Sequence, residues 1–213
     1  MRPPEAWRQA PVTLTIAIVT TFAWLVTSLI WDGNSAAVWG GFIPARVSAG
    51  DLVQGLAPVW LTPLTATLIH AGLIHLVFNL IILLFCGRAI EPIVGRAGLV
   101  ILYLVGAYAS AAVQYFVDQS AAVPMVGASG AISAILGAYA ILFGRNRVKV
   151  ANARLAVWLH ALWLCAAWIF LQLLTGFTFE TLGTTIAIAA HIGGFIVGMA
   201  LAHPLLLFRY RKA

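Results

Sequence analysis

The residues of this chain that could do chemistry are polar side chains set in three separate apolar stretches. His75 and Asn79 lie in the first stretch, Ser129 in the second and His191 in the third. Polar groups are expensive to place among apolar residues, so their presence in three such stretches suggests a reaction centre. A serine hydroxyl becomes a nucleophile only with a base in hydrogen-bond reach, and His191 is the best candidate. The pattern therefore predicts hydrolysis by a Ser–His pair.

Ser129 stands between Gly127 and Gly130, shortly after Pro124. This sequence is typical of the start of a helix, where the first backbone N–H groups have no partner within the helix. Those N–H groups would surround the Ser129 hydroxyl oxygen. They could therefore stabilise an oxyanion that develops during the reaction.

His191 is followed by Gly194 and Gly198, at i+3 and i+7 on the same helical face. The stretch that holds Ser129 is also rich in small residues, namely Gly130, Ala131, Ser133, Ala134, Gly137 and Ala138. Small residues on both helices let their backbones approach closely. We therefore expect Ser129 and His191 to come into contact.

His75 and Asn79 are four residues apart and share a helical face, so a ring N–H and an amide N–H point to the same place. This pair suits an oxyanion site. His70 lies about 140° from His75 around an ideal helix, so it has a supporting role at most, unless the helix begins just after it. No Asp or Glu lies inside an apolar stretch near these groups, and there is no HExxH motif. We expect neither a metal nor a cofactor.

The composition indicates a membrane protein, because 62% of the residues are hydrophobic, 8% are charged and the mean hydropathy is +1.00. A helix needs about 20 apolar residues to cross a bilayer. Six runs come near this length, at approximately 12–31, 68–87, 98–117, 126–143, 155–174 and 184–208. The sequence therefore predicts an all-α, polytopic membrane protein with six spans in a single domain, 1–213.

The basic residues orient this bundle, because Lys and Arg in short loops stay on the cytoplasmic side. Eleven of the twelve fall on one side: Arg2, Arg8, Arg88, Arg96, Arg145, Arg147, Lys149, Arg154, Arg209, Arg211 and Lys212. The other side carries Asp32, Asp51, Asp118, Glu180 and Arg46. We expect cytoplasmic termini and contact with anionic lipid, which explains the net charge of +6 without a nucleic acid.

Depth can be estimated from the basic residue at the cytoplasmic end of each span. By this measure His75, Ser129 and His191 lie about 20, 24 and 27 Å along their helices. All three are then in the outer half of the membrane, in a site that opens to the outer side. The connection at 32–67 is rich in Trp and apolar residues, among them Trp39, Phe42, Leu52, Val53 and Trp60, so we expect it to lie partly in the outer interface.

Three motifs closely resemble those of the rhomboid intramembrane serine proteases, in the bacterial-type, basic six-helix form of that family. They are His70-x4-His75-x3-Asn79, Gly127-x-Ser129-Gly130, and Ala190-His191-x-Gly-Gly194 with a further Gly198. The resemblance covers nearly the whole chain. It implies a rhomboid-like bundle of six helices with an apolar interfacial loop of the L1 type, placed in a bacterial inner membrane.

The resemblance also implies roles for individual residues. Ser129 would be the nucleophile and His191 the general base, while His75, Asn79 and the Ser129 N–H would hold the oxyanion. The implied activity is that of an endopeptidase that hydrolyses a peptide bond in or beside the transmembrane segment of another protein. The sequence leaves the oligomeric state unknown.

Two positions depart from the pattern of the family. Many rhomboids carry an aromatic residue four positions after the nucleophile, where this chain has Ser133. Many also have a Trp-Arg pair in the outer loop, whereas here Trp60 is followed by Leu61. How the base is held is therefore open.

Other interpretations remain beside the protease. Taken singly, Ser129 could be a helix cap and Asn79 a hydrogen bond between helices. The main alternative is a catalytically inactive rhomboid-like protein that binds or escorts transmembrane helices. A haem carrier or a transporter is less favoured, because the glycines indicate close helix contact and no repeated half is visible. His160 and His203 are expected to be structural.

Overall fold

The computed structural model describes residues 8–31, 33–50, 55–144, 148, 150, 152–181 and 186–211. The helices are α1 (Pro11–Ile30), α2 (Gly33–Gly40), α3 (Pro44–Ser48), α4 (Thr62–Thr65), a 3₁₀ turn (Ala66–Leu68), α5 (Leu73–Val117), α6 (Ser129–Phe143), α7 (Ala153–Thr181) and α8 (Ile188–Tyr210). Within the described ranges, β-type pairing is limited to one isolated bridge between Phe42 and Met125. The all-α prediction is confirmed.

Helix α5 is long enough for two membrane spans, at 45 residues or about 68 Å. It is broken at Gly95, whose φ of 79° is outside the helical region, and Pro92 precedes the break. The first arm, 73–94, and the second arm, 96–117, correspond to the second and third predicted spans. Together with α1, α6, α7 and α8 they make six apolar segments, and four of the helices meet the length and hydropathy of a span.

Three of the predicted spans begin too early. The structure starts the corresponding helices at Leu73, Ser129 and Ile188, whereas the sequence suggested 68, 126 and 184. Apolar residues continue into the turn or extended segment before each helix, and hydropathy does not report backbone conformation. Ile69 is extended, for example, and Gly127 has a φ of 112°, which no helix contains.

Helix α6 lies at the centre of the bundle and packs against both α5 and α8. Most of its first ten residues are buried, and small side chains predominate among them. At 15 residues it is about 22 Å long, shorter than the ~30 Å hydrocarbon core. One end of α6 must therefore lie inside the thickness that its longer neighbours span.

Helix α1 is fastened to the first arm of α5 by a buried carboxylate. Glu91, 1% exposed, accepts hydrogen bonds from the N–H groups of Val12 and Thr13 and from the Thr13 hydroxyl, at 2.8–2.9 Å. These N–H groups belong to the first turn of α1 and have no partner within the helix. Close packing continues at Gly87, where a Cβ atom would lie 2.7 Å from Thr13.

The predicted interfacial segment contains α2, α3 and α4. It is tied to the bundle at Phe42, which exchanges two backbone hydrogen bonds with Met125, and it is braced by Arg46, whose buried guanidinium donates to the Ala57 carbonyl at 2.9 Å. Its position in the membrane interface stays a prediction.

Several residues on which the predicted orientation and interfacial segment depend lie outside the described ranges: Arg2, Asp32, Asp51, Leu52, Val53, Arg145, Arg147, Lys149 and Lys212.

Candidate active site

Ser129 and His191 are in contact, although 62 residues separate them along the chain. The Ser129 Oγ lies 2.7 Å from the His191 Nε2, within hydrogen-bond distance. Ser129 is the first residue of α6, and His191 lies in the first turn of α8. Both side chains are half-buried. The structure thus brings together the hydroxyl and the imidazole that the sequence singled out.

Glycines make this contact possible. A Cβ atom at Gly194 would collide with the Gly130 carbonyl, and one at Gly198 would collide with the backbone of Ala134. Gly137 is equally close to the carbonyl of Phe195. The prediction that small residues bring the two helices together is confirmed, because backbone meets backbone at three successive levels of the interface between α6 and α8.

The segment that leads into α6 positions Ser129 as the first residue of the helix. Gly127 adopts a φ of 112°, which favours glycine and turns the chain sharply before the helix. The Ala128 N–H then donates to the His70 Nε2 at 3.4 Å. Ser129 follows directly, so its own N–H is one of the helix N–H groups without a partner inside the helix. His70 therefore supports the turn before the candidate nucleophile.

His75 and Asn79 lie on one face at the start of α5, as predicted. The His75 ring packs against Gly127, where a Cβ atom would lie 2.7 Å from the His75 Nε2. Asn79 is buried and donates one amide N–H to the carbonyl of His75 at 2.8 Å. A carboxamide has two N–H donors, so the second remains for another acceptor.

The outcome for His70 depends on where α5 begins. Because the helix starts at Leu73, His70 precedes it, and helical geometry does not fix the direction of its side chain relative to His75. Its ring lies edge-on to that of His75, with the ring centres 5.0 Å apart. The structure therefore brings His70 beside His75, which an unbroken helix from 68 would not have allowed.

Sequence reasoning missed Gln172, on α7. Its Oε1 lies 3.2 Å from the His191 Nδ1, on the opposite side of the ring from Ser129. One turn earlier, the Trp168 indole N–H donates to the His191 carbonyl at 3.4 Å. The available signal was a carboxamide inside an apolar span, four residues after a Trp on the same face.

Two serines near the site make different contacts. The Ser133 hydroxyl donates to the Ser129 carbonyl at 2.7 Å. Ser110, on the second arm of α5, fills the space beside Gly130 and Gly194, and its buried hydroxyl has no hydrogen-bond partner. Sequence reasoning also missed Ser110, because a lone serine in an apolar run carries no pattern.

No metal site is found in the described parts of the chain, where no group of three or more His, Cys, Asp or Glu side chains could hold an ion. His160 is buried on α7, close to Gly144, and His203 is exposed on α8. Neither contacts the site. The described side chains and backbone of the site offer a hydroxyl, an imidazole and several N–H donors.

Comparisons with known proteins find similarity over most of the chain. Residues 58–208 match the family model described as the Rhomboid domain. Two curated relatives are the rhomboid proteases GlpG of Salmonella choleraesuis, 29% identical over 198 residues, and of Pectobacterium atrosepticum, 28% identical over 197 residues. Each alignment covers 92% of this chain and 63% of the relative. The chain thus spans less than two thirds of the length of these relatives.

Proposed function

Because this chain belongs to the rhomboid family, we propose that it is an intramembrane serine endopeptidase that cuts other membrane proteins in or beside their transmembrane segments. The observation that carries the proposal is the 2.7 Å contact between the Ser129 Oγ and the His191 Nε2. A serine whose proton can pass to an imidazole is a competent nucleophile, and the bundle holds the two groups in that relation.

In the proposed reaction, His191 Nε2 takes the Ser129 proton while Oγ attacks the carbonyl carbon of the scissile bond. The resulting oxyanion is held by the Ser129 N–H, the His75 ring and the second amide N–H of Asn79. His191 then gives its proton to the leaving amine, and the C–N bond breaks. Water, activated by the same imidazole, attacks the acyl-enzyme and releases the second product with Ser129 restored.

Two features of the fold support attack on a membrane segment. Ser129 begins a helix too short to cross the hydrocarbon core, so its hydroxyl lies among longer apolar helices. Ser129 and His191 are also only half-buried, which leaves a way in for water. A substrate helix has its carbonyls bonded internally, so it must unwind locally before Ser129 can reach one.

We propose the orientation from the position of the basic residues. Arg209 lies 18 residues after His191 on α8, or about 27 Å along the helix axis. If the arginines face the cytoplasm, the Ser–His site lies in the outer half of the bilayer. On this proposal the chain is one membrane domain, 1–213, with both ends in the cytoplasm of a bacterium.

The alternative is an inactive relative that binds or escorts transmembrane helices. Such a protein has no need of a hydroxyl and an imidazole in hydrogen-bond contact, and this chain retains both. The contact therefore favours the protease.

The test is covalent labelling of the purified protein with a fluorophosphonate, which reacts with an activated serine. Wild type should label, while Ser129→Ala and His191→Ala should each abolish labelling. Ser110→Ala is the matched control, because it removes another buried serine hydroxyl beside Gly130 without touching the base. Labelling that persists in Ser129→Ala, or that is absent from folded wild type, would contradict the proposal.

A further inference from the structure

Gln172 is a buried polar side chain that the reaction proposed above does not use. It is 5% exposed, whereas its neighbours along the helix, Leu171, Leu173 and Leu174, are 50–57% exposed. A carboxamide inside an apolar span needs a hydrogen-bond partner. The Nδ1 of His191, 3.2 Å from the Gln172 Oε1, is that partner.

The contact is significant because it selects one form of the imidazole. His191 can accept the Ser129 proton only if Nε2 carries a lone pair, and the single N–H of the neutral ring is then on Nδ1. A carbonyl oxygen beside Nδ1 stabilises this form. The reversed carboxamide would put an NH₂ group there and favour a proton on Nε2, which would leave Ser129 without a base.

The register of α7 fixes Gln172 in this position. Along one stripe of the helix, Trp168 stacks on Phe195 of α8 with ring centres 5.0 Å apart and an interplanar angle of 16°. On the same stripe, a Cβ atom at Gly176 would collide with the side chain of Ile188. Trp168, Gln172 and Gly176 follow one another at intervals of four residues, so all three face α8.

We propose that Gln172 is a positioning residue, which holds His191 in the tautomer and orientation that accept the Ser129 proton. This inference rests on the proposed function. In this role Gln172 orients the imidazole, as the third residue of a catalytic triad does, but it carries no charge. This contact also explains how the base is held in a chain that has Ser133 in place of an aromatic residue. The Ser133 hydroxyl itself donates its hydrogen bond to the Ser129 carbonyl.

The test compares substitutions at Gln172 by fluorophosphonate labelling rate and by kcat and KM on a membrane-protein substrate. Gln172→Met keeps the length of the side chain and removes the acceptor, so labelling rate and kcat should fall about tenfold with KM unchanged. Gln172→Glu keeps an acceptor oxygen and should recover most of the loss. Thr175→Val on the same helix is the control, because the Thr175 hydroxyl donates to the Leu171 carbonyl of its own helix.

A second readout is the ¹⁵N spectrum of the His191 ring, which reports the tautomer directly. Wild type should show the proton on Nδ1, and Gln172→Met a mixture of tautomers. If Gln172→Met matches wild type in rate and tautomer, the positioning role is wrong while the proposed function stands. If folded wild type does not label, the proposed function fails, and the ring spectrum still decides whether Gln172 sets the tautomer.

A second inference, independent of the first, comes from the opposite end of the bundle. A cavity of about 650 Å³ opens where the start of α1, the break in α5 and the end of α8 meet. It is lined by Arg8, Gln9, Glu91, Pro92, Gly95, Arg96, Ala97 and Arg209. The guanidinium groups of Arg8, Arg96 and Arg209 thus line one space. Arg209 lies about 27 Å along α8 from His191.

Glu91 supplies the one carboxylate among the described residues that line this cavity, and it is already engaged. Both oxygens of Glu91 accept hydrogen bonds from the first turn of α1, so they are turned toward that helix. The exposed Arg209 side chain packs over the break in α5, where a Cβ atom at Gly95 would lie 2.7 Å from its Nη1. Among the described residues, neither Arg96 nor Arg209 is seen in an ion pair. The described residues that line the cavity include three arginines and one carboxylate, so this lining carries net positive charge.

We infer that this cavity binds the phosphate group of an anionic phospholipid. The planar fork of arginine suits phosphate oxygens, and basic pockets between membrane helices near the surface are typical sites for such headgroups. The cavity lies at the start of α1 and the end of α8, so in a membrane that these two helices cross it would lie near the headgroups. A free phosphate ion offers the same chemistry, so the experiment must separate the two sources.

The test is native mass spectrometry of the purified protein with added phosphatidylglycerol or phosphatidylcholine. Wild type should retain phosphatidylglycerol in preference, and Arg96→Gln and Arg209→Gln should each lower retention about tenfold. Arg154→Gln is the control, because it removes the same charge from an exposed position at the start of α7. Equal loss in the control, or displacement of the lipid by inorganic phosphate at equal concentration, would overturn the inference.

Discussion

The Ser133 hydroxyl donates its hydrogen bond to the carbonyl of Ser129, at 2.7 Å, and not to His191. Ser133 is therefore tied to its own helix, one turn after the candidate nucleophile. Polar support for the far side of the imidazole comes instead from α7, through Gln172. The candidate nucleophile and the side chain that we propose orients the base thus lie on different helices.

Ser133 should consequently have little influence on the chemistry and more on packing. Ser133→Ala removes a bond within one helix, so the labelling rate should change less than about threefold. Ser133→Tyr introduces a large side chain at a position that is 4% exposed, and overpacking should lower the free energy of unfolding by about 1–3 kcal/mol or more. Thermal unfolding in detergent measures the second effect. A rate loss in Ser133→Ala as large as in His191→Ala would refute this interpretation.

Asn79→Ala tests the oxyanion site. The substitution removes the amide N–H that is left for an oxyanion, so kcat should fall by about 10²–10³ while KM changes little. The other amide N–H bonds to the His75 carbonyl, within the same helix, so the fold should persist. Steady-state kinetics on a transmembrane substrate give the result. An unchanged kcat would remove Asn79 from the oxyanion site.

Gly198→Val tests whether backbone contact between α6 and α8 assembles the site. The new side chain would collide with the backbone of Ala134 and force the helices apart. Both the unfolding temperature and the labelling of Ser129 should fall sharply. Gly33→Ala is the control, because no atom lies within 4 Å of the Cβ position there. Full labelling in a folded Gly198→Val protein would show that the close contact is dispensable.

Glu91→Ala tests the attachment of α1. It leaves the N–H groups of Val12 and Thr13 without their acceptor, and the free energy of unfolding should fall by about 1–3 kcal/mol. Thr13→Val removes only the hydroxyl donor and should have a smaller effect. Thermal unfolding of both variants gives the order. A larger loss in Thr13→Val than in Glu91→Ala would contradict the capping role.

Much of the fold could be predicted from the sequence because the bilayer imposes a simple rule on it. Apolar runs of fixed length predict spans, and the six segments are found with their order and character as expected. The limits of the helices were less accurate at 68, 126 and 184, since apolar residues also line the turns that lead into α5, α6 and α8. Gly127 shows why: its φ of 112° excludes it from a helix, yet it continues the apolar run that leads into α6.

By itself, the sequence determined which residues could meet: a serine at a helix start, a histidine with glycines at i+3 and i+7, and a His–Asn pair on one face. These follow from local periodicity, which is readable along the chain. The tertiary structure alone decided that His70 comes beside His75 and that Gln172 contacts the far nitrogen of His191. The first depends on where α5 begins, and the second on the position of α7 relative to α8, which packing across the bundle sets. Hydropathy and local periodicity record neither.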